Sequence, residues 1–414
     1  MVVDASGADM EFGLTQEHQN VIAGVRRFAS TELAHEAERA DREERFSPET
    51  LRRMAQQGCL GSILPREWGG KGIDFITYGL LHEEIGRVCS SARSIVTVHD
   101  MVALAILKWG SERQRKRLLP QLAVGEIMGA FALSEPRVGS DAKSVEMTAE
   151  RSNGAYILNG TKKWITSGQI ADIFLVLACC QDKPTAFLVE RDRPGVSVEP
   201  ISRLLGMRAS MVAQIDFRQC EIPSENLLGR EGFGFISVAL TALGLGRYSV
   251  AWGCVGIAQS CLDACVQYTS QRRQFGSFLK EHQLIQAMIA EMATNLKAAR
   301  LLCYQVGRLK DEGDPREITE TFVAKYFASR TAMRAAGDAV QIHGANGCAS
   351  EYPVQRYLRD AKVMEIIEGS HQLSQLVIAK SAFQEYEQSR ETAGATSSAE
   401  ASLTDSDRKP EGCG

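Results

Sequence analysis

No charge of one sign dominates this chain: 47 Lys and Arg stand against 51 Asp and Glu, for a net charge of −4. That balance offers no broad attraction to nucleic acid or to an anionic membrane surface, and neither is expected as a partner. Long apolar runs are missing too, since no apolar stretch reaches the roughly 18 residues of a membrane span. The opening MVVDASGADMEFG has neither the layout of a signal peptide nor the Arg-rich, acid-poor character of an organelle leader, so a cytoplasmic protein is expected. The seven histidines form no HxxxH or HExxH arrangement. Cys261 and Cys265 are spaced i, i+4 but have no second pair to complete a zinc set, so no metal site is expected. The eleven cysteines are scattered through mostly apolar segments such as IFLVLACC, which excludes a disulfide scaffold and reads as buried thiols. A strand-loop-helix phosphate fingerprint is also lacking: GREGFGF at 229–235 follows a β-rich run and a Pro-containing turn and does not open a βαβ unit.

What the chain does have is 414 residues with 44% hydrophobic content, enough for two or three packed domains. Residues 13–125 read as an N-terminal helical domain, with apolar residues recurring at three and four between Gly and Pro turns. SPET at 47–50 combines an N-cap Ser with Pro at the first helical position. The period then changes. GAYILNGTKKWITSG, ADIFLVLACC, TAFLVERDRPGVSVEPI and AQIDFRQCEIP are β-rich runs bounded by Gly, Asn, Asp and Pro, which makes 126–235 a small middle β domain. Helical periodicity returns over 236–387, for example at Ile285, Ile289, Met292 and Leu296, and predicts a C-terminal helical bundle. The fold class is α+β. Residues 388–414 hold too few apolar side chains to offset the entropy of ordering them and are expected to be a disordered tail.

Five short stretches lie in order along this frame: FALSEPRVGSDA (131–142), KWITSG (163–168), RRQFG (272–276), QIHGANG (341–347) and YLRDAKVMEIIEGSHQ (357–372). Together they resemble the acyl-CoA dehydrogenase family over nearly the whole of 13–385. The resemblance implies FAD, an N-terminal helical domain, a middle β-barrel-like domain and a C-terminal four-helix bundle. It implies that Phe131, Leu133 and Ser134 lie beside the isoalloxazine ring and Ser140 near the pyrophosphate. Trp164 would cover the ring and Thr166 present a hydroxyl to it, whereas a Trp in a small β domain is otherwise usually core. Arg272 would pair with the FAD phosphates, since a guanidinium matches phosphate oxygens. Gln274, Phe275, Gln283, Gln341, Gly344 and Ala345 match positions that line the cofactor across a subunit contact, and Ser370 and Gln372 match positions that touch the flavin. A homodimer or homotetramer follows from that sharing, with an electron-transferring flavoprotein as the usual electron acceptor.

Glu368 is a carboxylate inside a run whose other large residues look like packing material, MEIIEGSHQLSQLVIAK. Removing the α-proton of an acyl thioester needs a base held against that carbon, and apolar surroundings raise a carboxylate's pKa toward the operating pH. The resemblance implies that Glu368 is that base, with the β-hydrogen leaving as hydride to the flavin. The family uses the backbone N–H next to this glutamate to polarise the thioester carbonyl, which the resemblance places at Gly369, where a glycine lets the backbone approach the substrate. Some family members place the base just before an Arg on another helix, but here that position is Gly246, before Arg247. Arg247 is a substrate-side residue in the family, and Gly244 stands where many members carry an Asp that helps hold the CoA ester.

SARSIVTVHDMV at 91–102 falls at the closed end of the family's fatty-acyl pocket. Thr97, His99 and Asp100 are polar where a long alkyl chain would want apolar walls, so Thr97 and His99 are expected to contact a short, oxygenated substrate. The wording CSSARSIVTVHDMVALAI, LLGMRASM and GRYSVAWGCVGIAQSCLDA is most similar to the branch found in polyketide clusters that make hydroxymalonyl- or methoxymalonyl-acyl carrier protein. That similarity implies a three-carbon, glycerate-derived unit on an acyl carrier protein. A short-chain acyl-CoA is the alternative substrate, and a flavin-binding scaffold without turnover the non-enzymatic one. Arg113, Arg115, Lys116 and Arg117 form a basic group that is either a docking face for an acidic carrier or a solvated helix face.

Overall fold

Six helices precede the first strand in a computed structural model that describes residues 14–406, with the backbone alone at 17, 389 and 391–406. They are α1 (Gln16–Phe28), α2 (Ala34–Glu43), α3 (Pro48–Gln56), α4 (Phe75–Val88), α5 (Ser90–Trp109) and α6 (Glu112–Ala123). Their starts follow the capping residues: Ser47, Asp74 and Ser111 each accept a hydrogen bond from the backbone N–H three residues on. Pro48 occupies the first turn of α3, as SPET predicts.

The middle domain is a sheet of β1 (Gly129–Ala132), β2 (Thr148–Ser152), β3 (Ala155–Ile165), β4 (Ile173–Cys180), β5 (Lys183–Glu190), β6 (Val196–Pro200), β7 (Ala213–Pro223) and β8 (Leu227–Leu228). The strand order is β6-β7-β3-β2-β4-β5-β8, with β1 parallel to β4. Every residue of β1 is buried, and β4 is nearly so, because helix α5 covers that part of the sheet.

Then follow α7 (Leu240–Gln271), the short hairpin β9 (Arg273–Gln274) and β10 (Ser277–Phe278), and α8 (Gln283–Glu312), α9 (Glu317–His343), α10 (Val354–Met364) and α11 (His371–Ser406). Helix α7 is central: it packs on α4, α5, α8, α9 and α10, and its face carries Trp252, Tyr248, Val255 and Cys261 without exposure. Met292 and Leu296 of the predicted apolar face of α8 are buried, and Ile285 and Ile289 are half-buried against the same core.

Two expectations change. The helical stretches Ser90–Trp109 and Gly234–Gln271 are long and apolar enough to cross a membrane by length and composition. Their apolarity has a local cause, since α5 is buried from Ser90 to Ile106 and α7 runs through the core. The segment expected to be disordered from 388 continues as helix to Ser406, while 407–414 lie outside the described residues. ETAGATSSAEASL is rich in Ala, with Glu and Leu, and local helix propensity needs no core. The described cysteines are all free thiols, and Cys348 is the exposed one among them.

Candidate functional site

Between α10 and α11 the chain turns through Glu368 at φ 55° and Gly369 at φ 108°. A glutamate in the left-handed region is unusual, and such outliers persist only where the surroundings hold them. Two cations do so here: Arg247 Nε of α7 donates to the Glu368 carbonyl at 2.9 Å, and Lys325 Nζ of α9 donates to the Gly369 carbonyl at 2.7 Å. The Arg247 guanidinium also lies 4.4 Å from the centroid of Phe322. Although the residue as a whole is part-exposed, Oε2 of Glu368 is buried with no hydrogen-bond partner. Burial pushes its pKa above the ordinary carboxylate value, opposed by the positive charges of Arg247, Arg93 and Lys325. Burial also lowers Lys325 to about 8. A Cβ on Gly246 would lie 2.5 Å from Oε2, so the two base positions known from the family resemblance address one point in space.

Beneath the carboxylate, α4, α5 and α7 enclose a polar set. Arg93 is completely buried, and its Nη1 donates to the hydroxyls of Thr97 at 3.0 Å and Ser249 at 3.1 Å. Ser249 in turn meets His82 Nδ1 at 3.0 Å. Burial, then the Arg93 charge, hold His82 well below its usual pKa, which keeps it neutral. Thr97 is therefore occupied in fixing Arg93 and Ser249. His99 is a correction to the sequence reading: Nε2 pairs with the Leu122 carbonyl at 2.8 Å and Nδ1 with the Gly129 N–H at 3.3 Å. Both ring nitrogens join α5 to α6 and β1, leaving none for a substrate. Asp100 accepts from the Gly61 N–H at 2.8 Å, and burial pushes it up to about 8.

On the β domain, Lys162 and Glu135 form an ion pair at 2.7 Å that is sealed from solvent. Lys162 Nζ also donates to the Leu133 carbonyl, and Glu135 accepts the backbone N–H groups of Glu146 and Met147. This pair pins the loop from Ser134 to Met147 onto β3. Just beyond it, a register shift between Lys162 and Ile165 turns Trp164 outward at φ 64° and 53% exposure. The bulge re-aims the indole away from the core. Lys163 N bonds the Ser134 carbonyl, so Trp164 stands beside half-buried Leu133 and Ser134; Thr166 is half-buried and Phe131 buried below. An exposed aromatic face with backbone groups and hydroxyls at its edge can hold a planar, hydrogen-bonding ring.

A second group of expected cofactor residues lies on the surface. Arg272 closes α7, and Gln274, Phe275 at 97% exposure, and Gln283 project from the hairpin and the start of α8. Gln341, Gly344 and Ala345 are exposed at the end of α9, as are Ser140 in its loop and Gln372. Ser370 is the half-buried cap of α11, accepting from Leu373 N. The basic group of α6 is largely neutralised: Arg113 pairs with Glu225, Lys116 with Glu112 and Arg117 with Glu190. Three residues escaped the sequence reading: Arg93, Lys162 and Lys325. Lys325 lies between Ala324 and Tyr326, a cation in an apolar stretch, whereas Arg93 among Ser91, Ala92 and Ser94 and Lys162 between Thr161 and Lys163 carry no such local signal.

Three family models match the chain in order: "Acyl-CoA dehydrogenase, N-terminal domain" over residues 15–126, "middle domain" over 130–220 and "C-terminal domain" over 232–383. An acyl-CoA dehydrogenase of Bacillus subtilis (strain 168) is 40% identical over 373 residues, 89% of this chain and 98% of its own. Among solved structures, a glutaryl-CoA dehydrogenase of Mycobacterium smegmatis in complex with FADH2 matches with TM-score 0.86 at 31% identity, covering 90% of this chain and 96% of its own. FkbI, described as serving biosynthesis of the methoxymalonyl extender unit of the Fk520 polyketide, matches with TM-score 0.80 at 29% identity, over 88% and 99%.

Proposed function

Because the chain belongs to the acyl-CoA dehydrogenase family, FAD-containing oxidoreductases that act on acyl thioesters, we propose that Glu368 is its catalytic base. The observation that carries this is the carboxylate with a buried, partnerless Oε2 and a raised pKa, held on a backbone turn clamped by Arg247 and Lys325. Such a group is short of stabilisation as an anion and gains by taking a proton. Oε2 accepts the α-proton of the thioester, and the Gly369 N–H polarises its carbonyl. FAD, when bound, supplies the acceptor for the hydride that leaves the β-carbon. Phe131, Leu133, Ser134, Trp164 and Thr166 serve the ring; Ser140 and Arg272 serve the phosphates. Gln274, Phe275, Gln283, Gln341, Gly344, Ala345, Ser370 and Gln372 complete the site with a second copy of the chain, in a homodimer or homotetramer. An electron-transferring flavoprotein is the proposed acceptor of the electrons.

The substrate we favour is a short, oxygenated acyl unit on an acyl carrier protein, of the kind used as a polyketide extender. Two features support it. Beneath Glu368, where the family resemblance puts the closed end of the acyl pocket, lie buried hydroxyls and a cation in place of the apolar walls an alkyl chain would need. At Gly244, a Cβ would meet nothing within 4 Å, so the place of the ester-holding Asp is open. The similarity to FkbI agrees with an extender-unit substrate, whereas the similarity to the Bacillus enzyme favours acyl-CoA oxidation. Anaerobic mixing of the oxidised flavoprotein with butyryl-CoA, and separately with a glycerate-derived semialdehyde on carrier protein, separates the two. Bleaching of the flavin by the carrier-bound unit alone is expected; rapid bleaching by butyryl-CoA alone moves the enzyme to acyl-CoA oxidation. Glu368→Gln should keep its flavin and lose reduction by about 10³-fold or more, and normal turnover in that variant would exclude Glu368 as the base.

A further inference from the structure

The basic group of α6 is largely paired, but a different set of cations stands without carboxylate partners where α5 ends and α7 begins. Lys108, Lys143, Lys183 and Arg230 are exposed and form no ion pair among the described residues. The carboxylates on this side are mostly occupied: Glu231 by Arg151 and Tyr156, Glu225 by Arg113, Glu146 by Arg137 and Asp141 by the Ser144 hydroxyl, which leaves Asp182. Among the cations, Trp109, Phe233, Ile236 and Leu240 are large apolar side chains exposed to solvent. The two sets are contiguous. Trp109 Nε1 donates to Thr241 Oγ1 at 2.9 Å, and a Cβ on Gly229 would lie 3.8 Å from the Trp109 Cβ and 3.5 Å from Val238. Lys143 Nζ stands 5.8 Å from the Phe235 ring centroid, and a Cβ on Gly232 would lie 2.9 Å from the Lys183 Cδ. An exposed apolar patch with a charged rim is the composition of an interaction surface.

This face leads to the candidate site. Helix α7 is entered through a π-helical turn, Gly234–Ala239, a form that recurs at functional sites. Leu240, Gly244 and Arg247 then follow at four- and three-residue spacing along one side of the helix. Exposure falls along that row, from 43% at Leu240 to 8% at Arg247, whose Nε reaches the Glu368 carbonyl. Leu240 lies about 10 Å along the helix from Arg247, a span that an extended phosphopantetheine arm covers. At Gly244, midway, a Cβ would meet nothing within 4 Å, so the row has room beside it.

We propose that this face docks the carrier protein that presents the acyl group. The partner is a small acidic protein whose carboxylates meet Lys108, Lys143, Lys183 and Arg230. One of its apolar side chains seats against Trp109 and Phe233, and its arm enters beside Leu240. Complementary charge sets the orientation and speed of encounter, while the aromatic centre supplies the lasting contact. A second copy of this chain fits less well, because a two-fold contact of the face with itself would set cations against cations. The docking rests on the carrier-bound substrate proposed above.

Anisotropy titration of a fluorescent acyl carrier protein, bearing free phosphopantetheine, with the oxidised FAD-loaded protein tests it. Lys108→Glu combined with Lys183→Glu and Arg230→Glu should weaken binding at least about 10-fold and flatten its salt dependence, with flavin content unchanged. Phe233→Ser should weaken it by about 10-fold as well. The same reversal of charge at Arg27, Arg45 and Lys297, exposed elsewhere, should leave affinity within about two-fold of the parent. Face variants that bind the carrier as the parent does overturn the docking site and leave the carrier-bound substrate standing. Equal losses in both triple variants overturn it too, since they report the charge of the whole molecule. A matching loss of butyryl-CoA affinity assigns the cations to a nucleotide and overturns it likewise. A parent that leaves the carrier unbound also overturns it, and tight binding of butyryl-CoA in that case removes the carrier-bound substrate as well.

Discussion

Oε2 of Glu368 is buried without a partner, and that arrangement has a cost to the fold as well as a use in catalysis. A carboxylate whose folded pKa is raised above its unfolded value contributes stability that is fully present below the unfolded pKa and is lost as pH rises through the folded one. Glu368→Gln removes that loss. Calorimetric scans should therefore find the variant no more stable than the parent in acid and increasingly more stable toward neutral and alkaline pH. A difference that does not move with pH speaks against a raised pKa. Gly246 supplies a second test at this scale, since a Cβ there would lie 2.5 Å from Oε2 and 2.7 Å from Cδ. The carboxyl must swing aside to admit it. Gly246→Ala should keep its flavin and lose about 10²-fold in kcat, the scale of effect expected when a reacting group is displaced by about an ångström. Unchanged kcat would show that the base has slack.

At the scale of elements, the turn after β1 is held by one buried ion pair. Lys162 reaches across from β3 to Glu135 and the Leu133 carbonyl, while Glu135 takes two backbone N–H groups of the returning loop. Removing one partner of such a pair leaves a buried charge, a loss of about 3–5 kcal/mol. Lys162→Met is expected to lower the unfolding midpoint and to shed flavin on gel filtration. Lys162→Met with Glu135→Gln should recover part of both, because the amide keeps an acceptor for the loop. A double variant no better than the single one would mean that geometry, not charge, holds the turn. Much of this level was legible in the sequence: the strand runs from 154 to 223 and the caps at Ser47 and Ser111 follow local rules. The outward turn of Trp164 was not, because a register shift depends on what the opposite strand β7 offers, and a Trp in a β run reads as core.

For the whole molecule, helical period marked the two helical regions and β-rich runs bounded by turn residues marked the sheet, since composition and period record what is buried. Resemblance to a family carried most of the candidate site. Glu368 stood out as a charge among packing residues, but Arg93 did not, although it shares a segment with His99 and Thr97. Arg93 and Thr97 meet Ser249 of α7, some 150 residues away, while His99 meets α6 and β1, and only the packed structure shows that His99 is satisfied by backbone while part of Arg93 is not. Helix α11 reaches Ser406, beyond the expected end of ordered chain. Its later part has the composition of a helix that needs no core, so a chain ending at residue 387 should retain its unfolding midpoint and its rate of flavin reduction. Loss of either, measured by calorimetry and stopped flow, would assign the extension a structural part.

The distribution of sulfur offers a practical handle. Most of the described thiols are buried, several with pKa values pushed up to about 12 by burial, as at Cys59, Cys254 and Cys265, whereas Cys348 is exposed at the end of the short helix Gly344–Cys348, which also carries Ala345. A maleimide fluorophore added in limiting amount to the native chain ending at 387, which lacks Cys413, would attach first at Cys348, ahead of half-buried Cys179, and sit a few residues from the proposed subunit-spanning edge of the cofactor site. Its emission would then register subunit assembly and flavin loading as optical signals.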